Sequence, residues 1–326
     1  METLVVGGFG LQLKVHHGAL IVAQPVKVDG KRTMEQTVYF RGRCEWDRLI
    51  IMGHVGTISL DAVGWLMDME IEVLVIGYDG RLITQFGPTR RATVELKLLQ
   101  IDALQTGHAV PWVRWLLRRK IQGHQRIMNI PELGQALTRL MTAESIDDCR
   151  MIEAHAAHSY WTSLTGLPVT FAKRDLKKVP DHWKRIQNRN TGLRTNRMAT
   201  DPVNGLLNYG YAILEAETRI AAYVVGWDVD LGILHTSMEY RQSFVFDLME
   251  PLRAQVDGWV FDYIEKTTFR RNDFVELPSG EVRLSPEVAK SFSMGICEAL
   301  RPLCLAVAQE ARYVLHELMG VSTQIS

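Results

Sequence analysis

Short apolar runs bounded by turn residues fill the first ninety or so positions, and longer helical periods follow from about Ala92 onward. Leu11–Val15 and Ala19–Ala23, split by His16-His17-Gly18, predict a hairpin of short strands. Thr37–Phe40 and Leu49–Met52 are further strand candidates. Ile58–Leu60 leads into Asp61–Met69, whose apolar positions recur at helical spacing. Glu72–Ile76, closed by Tyr78-Asp79-Gly80, reads as a buried strand ending in a turn. Beyond Ala92 the helical patterns are broken at Gly107–Pro111, Ile130–Glu132, Gly166–Pro168, Asp201-Pro202, Trp227–Gly232 and Leu277–Gly280. The Gly87-Pro88 breaker, between Phe86 and Ala92, divides the chain into 1–90 and 91–326. The expected fold is α+β, a small amino-terminal β-rich dimerisation domain followed by a larger, mostly α-helical catalytic domain. No solenoid repeat or low-complexity tract interrupts this plan.

Composition narrows the classes without choosing among them. A chain of 326 residues, 47% hydrophobic and 23% charged, fits an ordinary soluble globular protein with two cores. No apolar run is expected to reach bilayer length. METLVVGGFGLQLKV has no basic segment followed by an apolar core and cleavage site, so no export is implied. Cys44, Cys149, Cys297 and Cys304 are scattered without a CxxC pair. That argues against a zinc ribbon or disulfide framework and fits a reducing cytoplasm.

The formal net charge is zero, so a nucleic-acid surface has to come from local segregation of charge. Lys173–Arg197 supplies it: Lys173, Arg174, Lys177, Lys178, Lys184, Arg185, Arg189, Arg194 and Arg197 stand against Asp175 and Asp181. Clustered cations of this kind bind phosphates with release of counterions, and Trp183 offers a stacking surface for a base. The plainer reading is a solvated basic loop. A second cluster comprises Arg114, Arg118, Arg119, Lys120 and Arg126.

Candidate chemistry lies among the acids of the helical part. Glu153 sits in the helical stretch Met151–Leu164, where Ala156 and Ala157 leave room for another element to approach, although most helical glutamates are solvated. Asp247 and Glu250, three residues apart, point from one helix face within Phe244, Val245, Phe246, Leu248 and Met249. Acids in so apolar a run are costly without partners. With His235 they make an oxygen and nitrogen set that Mg²⁺ or Mn²⁺ accepts. On spacing alone three structural alternatives stay open: Asp247 caps a helix, Glu250 pairs with Arg253, and His235 is a satisfied core histidine. Pro251 directly after Glu250 bends or restarts that helix.

These segments resemble the Cas-one integrase family of CRISPR adaptation. Glu153, Ala157, Tyr160 and Trp161 are similar to the helix carrying the family's catalytic glutamate. Asp201-Pro202-Val203-Asn204-Gly205-Leu206-Leu207-Asn208-Tyr209-Gly210-Tyr211 resembles its hallmark run, with Gly205 where alanine is usual. Gly232-Ile233-Leu234-His235 looks like the site of its metal-binding histidine, and Ser243 to Arg253 like the helix with its remaining acids. Asn272-Asp273-Phe274, with Gly280 and Leu284, looks like its carboxy-terminal segment, and His124 stands where asparagine is common. The likeness spans nearly the whole chain, with several motifs in the expected order.

The resemblance implies a metal-dependent DNA endonuclease and integrase that inserts short DNA fragments into a CRISPR array, the 3′-hydroxyl attacking a repeat-boundary phosphodiester. It implies Mg²⁺ or Mn²⁺ held by Glu153, His235 and Glu250, with Asp247 as an assisting acid. Its expected partners are DNA, namely short fragments and CRISPR repeat DNA, a second copy of the chain, and a small ferredoxin-like CRISPR adaptation protein in a larger complex. Apolar runs such as Val73–Ile76 add to the expectation of a homodimer. Alternatives are a casposase-like transposon integrase, a branched-DNA repair nuclease, or a DNA-binding scaffold whose acids are structural.

Overall fold

The computed structural model describes residues 2–28, 31–53, 55–77, 81–88, 92–187, 198–239 and 241–320. It bears out the α+β expectation. The amino-terminal part comprises β1 (Glu2–Gly7), β2 (Leu11–His16), β3 (Ala19–Val28), β4 (Lys31–Tyr39), β5 (Trp46–Met52), β6 (Gly56–Ile58), α1 (Leu60–Asp68), β7 (Glu72–Ile76) and β8 (Leu82–Phe86). The predicted hairpin is β2–β3, paired from Gln12–Ala23 to His16–Ala19, and His17 takes a left-handed φ of 46° at its turn. Strands β1 and β8 carry no alternation strong enough to be named from the pattern. The turn expected at Tyr78-Asp79-Gly80 lies outside the described residues.

Two four-stranded sheets form, in the orders β1-β5-β7-β8 and β4-β3-β2-β6. The first sheet is parallel from β1 through β5 to β7, with β8 added antiparallel. Because side chains alternate across a strand, its successive residues serve two cores. Val6, Leu49 and Val73 join Leu11, Leu13, Leu20, Trp65 and Leu66 in a small core against the second sheet and α1. Val5, Ile50, Met52, Leu74 and Ile76 face the other way, into the core shared with the helices. That double burial is why β5 and β7 read as unbroken apolar runs. It also corrects one expectation: Val73–Ile76 is largely interior and cannot serve as a subunit interface.

The carboxy-terminal part comprises α2 (Val94–Thr106), α3 (Ala109–Ile127), α4 (Pro131–Met141), α5 (Ile146–Leu164), α6 (Pro202–Val225), α7 (Ser243–Met249), α8 (Arg253–Lys266), the hairpin β9 (Phe274–Glu276) and β10 (Val282–Leu284), and α9 (Pro286–Met319). The helix boundaries follow the breakers: Gly107 closes α2 at φ 85°, Pro131 opens α4, and Pro202 opens α6. The small β9–β10 hairpin turns through the predicted Leu277–Gly280 break.

Helix α6 runs through the middle of this part and is buried nearly all round, packing against α7, α8, α9 and β10. Asp201 starts it, its Oδ1 accepting from the backbone N–H of Val203 (3.0 Å) and Asn204 (3.1 Å). A Cβ at Gly210 would stand 2.5 Å from Val256 Cγ1, so only glycine lets α8 approach this closely. At Gly205 an alanine Cβ would meet the tip of Leu284, its Cδ1, at 3.0 Å, a tight contact that a small shift of that side chain would relieve.

Helix α9 corrects another expectation. It contains an 18-residue window of mean hydropathy 1.3, long and apolar enough to cross a membrane by those criteria. Phe292, Ile296, Leu300, Cys304, Val307 and Ala311 bury one side of it against the shared core, and it packs on α6 and β1. Between these elements Arg48 of β5 forms a fully buried ion pair with Glu217 of α6, and Cys297 Sγ of α9 donates to the same carboxylate at 3.1 Å.

Candidate active site

The site is built around a loop that wraps a carboxylate. Asp247 on α7 is wholly buried. Its Oδ2 accepts from the backbone N–H of Ile233 (2.6 Å) and Leu234 (3.0 Å), and its Oδ1 from that of His235 (2.8 Å). His235 Nδ1 lies 2.7 Å from the same Oδ1. Hydrogen bonds to an ionised group contribute about 1.5–3 kcal/mol each, so this carboxylate fixes the loop and the imidazole together. Gly232 makes the wrap possible, because a Cβ there would overlap the His235 carbonyl oxygen and stand 2.6 Å from Ser243 Cβ. Arg150 of α5 holds the outside of the loop, its Nε donating to the Leu234 carbonyl at 2.8 Å.

With Nδ1 turned to Asp247, the Nε2 edge of His235 faces Glu250, 3.9 Å from its Oε1. Glu250 is the first residue of the 3-10 turn Glu250–Leu252, where Pro251 ends α7 before α8 restarts at Arg253. The expected restart is therefore present, and it sets Glu250 at the corner between two helices. Its Oε1 accepts from Arg253 Nε at 2.7 Å, and its Oε2 lies 2.6 Å from Lys120 Nζ. Lys120 also donates to Glu153 of α5. One ammonium thus sits between the two carboxylates, with only 9% of its side chain exposed.

The electrostatics follow from that packing. Burial raises the Glu250 carboxyl, but Arg253, Lys120 and His235 outweigh it and hold the group far below the usual carboxylate range. Burial lowers Lys120, yet Glu250 and Glu153 more than offset this and keep the ammonium charged. Among the described residues no three His, Cys, Asp or Glu side chains close on one point as a finished metal cage would. The space between Glu153 and Glu250 holds the ammonium instead.

A second buried network lies alongside. Asp257 of α8 accepts from Tyr160 at 3.1 Å and from Tyr211. His124 stacks on Tyr160, with ring centroids 4.1 Å apart and planes within 7°, and its Nε2 lies 3.5 Å from Asp257. Arg253 lies over the Tyr211 ring at 5.2 Å, joining this network to Glu250.

The structure thus brings Glu153, His235, Asp247 and Glu250 together. It adds Lys120 and Arg253, which sequence reasoning assigns elsewhere or treats as a mere pairing partner. Lys120 has a readable signal. Trp112, Leu116, Lys120 and His124 recur every fourth residue along α3, so a lysine stands in the apolar stripe and requires a carboxylate partner.

The basic stretch is only partly surface charge. Lys173, Arg174, Lys177, Lys178 and Arg185 are exposed, while Lys184 pairs with Asp181 at 2.6 Å. Arg189, Arg194 and Arg197 lie outside the described residues. Trp183 is no stacking platform: it is wholly buried, edge-on to Phe274, with the Arg271 guanidinium 4.3 Å above its ring. Arg174 and Lys178 instead share a cavity of about 640 Å³ with Arg270, Arg271 and Asn272, alongside Asp175, Asp273 and Glu287. In the second cluster Arg114 Nε is spent on the Ala143 carbonyl (2.9 Å) and Arg119 on Glu310, leaving Arg118 and Arg126 exposed.

A family model described as "CRISPR associated protein Cas1" matches residues 4–296. A curated CRISPR-associated endonuclease Cas1 of Archaeoglobus fulgidus is 25% identical over 279 residues, covering 78% of this chain and 75% of that protein. A solved casposase bound to integration product has a TM-score of 0.80 at 23% identity, covering 98% of this chain and 91% of the casposase chain. A chain of a Cas6-RT-Cas1--Cas2 complex has a TM-score of 0.67 at 19% identity, with 98% of this chain matching 35% of that longer one. At these identities the two structural likenesses establish a shared fold.

Proposed function

The chain belongs to the CRISPR-associated Cas1 family, and on that premise we propose that it is a divalent-metal-dependent DNA integrase that inserts short fragments into a CRISPR array. The observation that supports this reading is a chain of contacts joining three separate segments: Lys120 lies between Glu153 and Glu250, and the Nε2 edge of His235 lies 3.9 Å from the other Glu250 oxygen. Two carboxylates and an imidazole are donors that Mg²⁺ or Mn²⁺ accepts, so the residues present fit such an ion. Held by Glu153, His235 and Glu250, it would polarise the target phosphate and lower the pKa of the attacking hydroxyl.

The chain's own groups have distinct parts in this reaction. Asp247 takes the Nδ1 proton of His235 in a hydrogen bond, fixing the tautomer that leaves Nε2 a lone pair toward the site. With both its oxygens engaged by the 233–235 loop, Asp247 is a positioning residue. Arg253 is pinned by Glu250 and supplies fixed positive charge where phosphate charge gathers. The 3′-oxygen of the incoming fragment bonds to phosphorus, and the bond from phosphorus to the target strand's 3′-oxygen breaks. The attacking hydroxyl gives its proton to solvent and the departing oxygen takes one up. One phosphodiester replaces another, so no nucleotide cofactor is consumed. With water as the nucleophile the same site is an endonuclease.

Exposed Lys173, Arg174, Lys177 and Lys178 would hold backbone phosphates without reading sequence. For a homodimer, the support is the apolar surface of the amino-terminal part, where Met34, Val38 and Phe40 are exposed on and beside β4 and Leu60 is 88% exposed. For a ferredoxin-like CRISPR partner, the support is the fold shared with a chain of a complex that contains Cas2.

Strand transfer into a repeat-bearing plasmid, with and without Mg²⁺ or Mn²⁺, tests this reading. Integration at the repeat boundary that needs metal and is lost in Glu153→Ala is the expected result. Metal-independent joining, or full activity in that variant, sinks it. The likeness to a casposase favours a second reading with the same chemistry, a transposon integrase; insertion directed by transposon ends with no preference for the repeat would select it.

A further inference from the structure

Lys120 is the group in this site with no part in the proposed reaction. We propose that Lys120 is a resident counterion, holding the Glu153 and Glu250 carboxylates together while no divalent ion is bound and giving up that place when one enters. This rests on the reading of the site as a metal centre.

Three observations lead to it. First, the ammonium is buried between both carboxylates, 2.6 Å from Glu250 Oε2 and donating to Glu153. Second, a hard divalent ion takes carboxylate oxygens at roughly 2.0–2.6 Å, so one held by both Glu153 and Glu250 contends with Lys120 for the gap between them. A dication and an ammonium cannot share that position, and binding becomes an exchange of one cation for another. Third, the two cations on Glu250 are held differently. Arg253 is fixed by its Nε hydrogen bond and by the face of Tyr211, whereas Lys120 carries a point charge on a flexible four-carbon stem. Lys120 is the one able to leave.

Such an exchange has two consequences. Without Lys120 the two facing carboxylates repel across a buried gap, and the metal-free protein loses stability. With Lys120, any incoming ion has to displace a competitor, so the site binds its metal more weakly than the donors alone would.

The test compares full-length wild type with Lys120→Met, which keeps an unbranched stem and removes the charge. Calorimetric titration with Mn²⁺ is expected to give binding tighter by about tenfold or more in the variant, the factor that about 1.4 kcal/mol of removed competition produces. Melting temperature without metal is expected to fall in Lys120→Met, and saturating Mn²⁺ to raise it by more than in wild type. Equal or weaker Mn²⁺ affinity in the variant, with wild type binding normally, overturns the exchange while leaving the metal site intact. No Mn²⁺ binding in either protein overturns both readings. Lysine acylation of the unaltered protein, followed by mass spectrometry, decides the matter if Lys120→Met does not fold. Labelling of Lys120 is expected to rise on adding Mg²⁺, and an unchanged or lower yield overturns the proposal.

Discussion

At the scale of single residues, the site divides into Glu153, Glu250 and His235, linked in a chain of contacts through Lys120 and the two Glu250 oxygens, and the groups that fix them there. Glu153→Ala, His235→Ala and Glu250→Ala are each expected to abolish strand transfer while DNA binding, measured by mobility shift, stays largely intact. Asp247→Asn belongs to the other class. The amide keeps the shape but mismatches the four donors now on the carboxylate, so His235 loses its enforced tautomer. A drop of roughly 10–100-fold in rate is expected, the usual cost of losing a supporting partner behind a ligand; an undiminished rate would deny Asp247 that part. Asp247, Glu250 and His235 are legible in the sequence because such residue types are rare beside apolar runs. Lys120 is harder to place, because a cation count treats every lysine as solvated and ignores the helix face it stands on.

Elements decide where those side chains end up. Pro251 lacks the N–H that would continue α7, so the chain passes through a 3-10 turn and starts α8 afresh. Glu250 falls at that corner, accessible to α3 and to the 232–235 loop together. Gly232 is the corresponding device in the loop. Gly232→Ala is expected to push the loop off Asp247, lowering the melting temperature by several degrees, as about 1–3 kcal/mol of overpacking does, and reducing strand transfer more than DNA binding. A variant melting and reacting like wild type would show that the loop accommodates the methyl group. The break at Trp227–Gly232 is readable from the sequence. The wrap around the Asp247 carboxylate is not, since backbone N–H groups carry no sequence signature. Trp183 shows the reverse error: one aromatic among many cations looks like a surface platform, and the hydrophobic gain of burying so large a ring against Phe274 prevails.

For the whole molecule, charge segregation and the sharing of one core matter most. Lys177 and Lys178 are exposed on the basic stretch, whereas Lys184 is already tied to Asp181. Reversing both Lys177 and Lys178 to Glu is expected to weaken binding to all DNA sequences alike. It should also flatten the dependence on salt, by roughly 0.9 in log–log slope for each phosphate no longer neutralised. An unchanged slope would move the DNA path to Arg118 and Arg126. Sedimentation at micromolar concentration is expected to find a dimer that Phe40→Asp and Leu60→Asp convert to monomer; a wild-type monomer would remove the role proposed for the exposed apolar face.

The packing of β1 against α9 also governs the order in which the chain can mature. The strand at Glu2–Gly7 is made early during synthesis, and the helix that covers it, Pro286–Met319, is made late. Until then Val5 and Ile50 lack that cover, and the Arg48–Glu217 pair lacks the Cys297 thiol that α9 brings to it. So distant a pairing makes folding slow and leaves the nascent chain open to aggregation. Closure of this interface waits for α9, although β1 can pair with β5 before that helix is made.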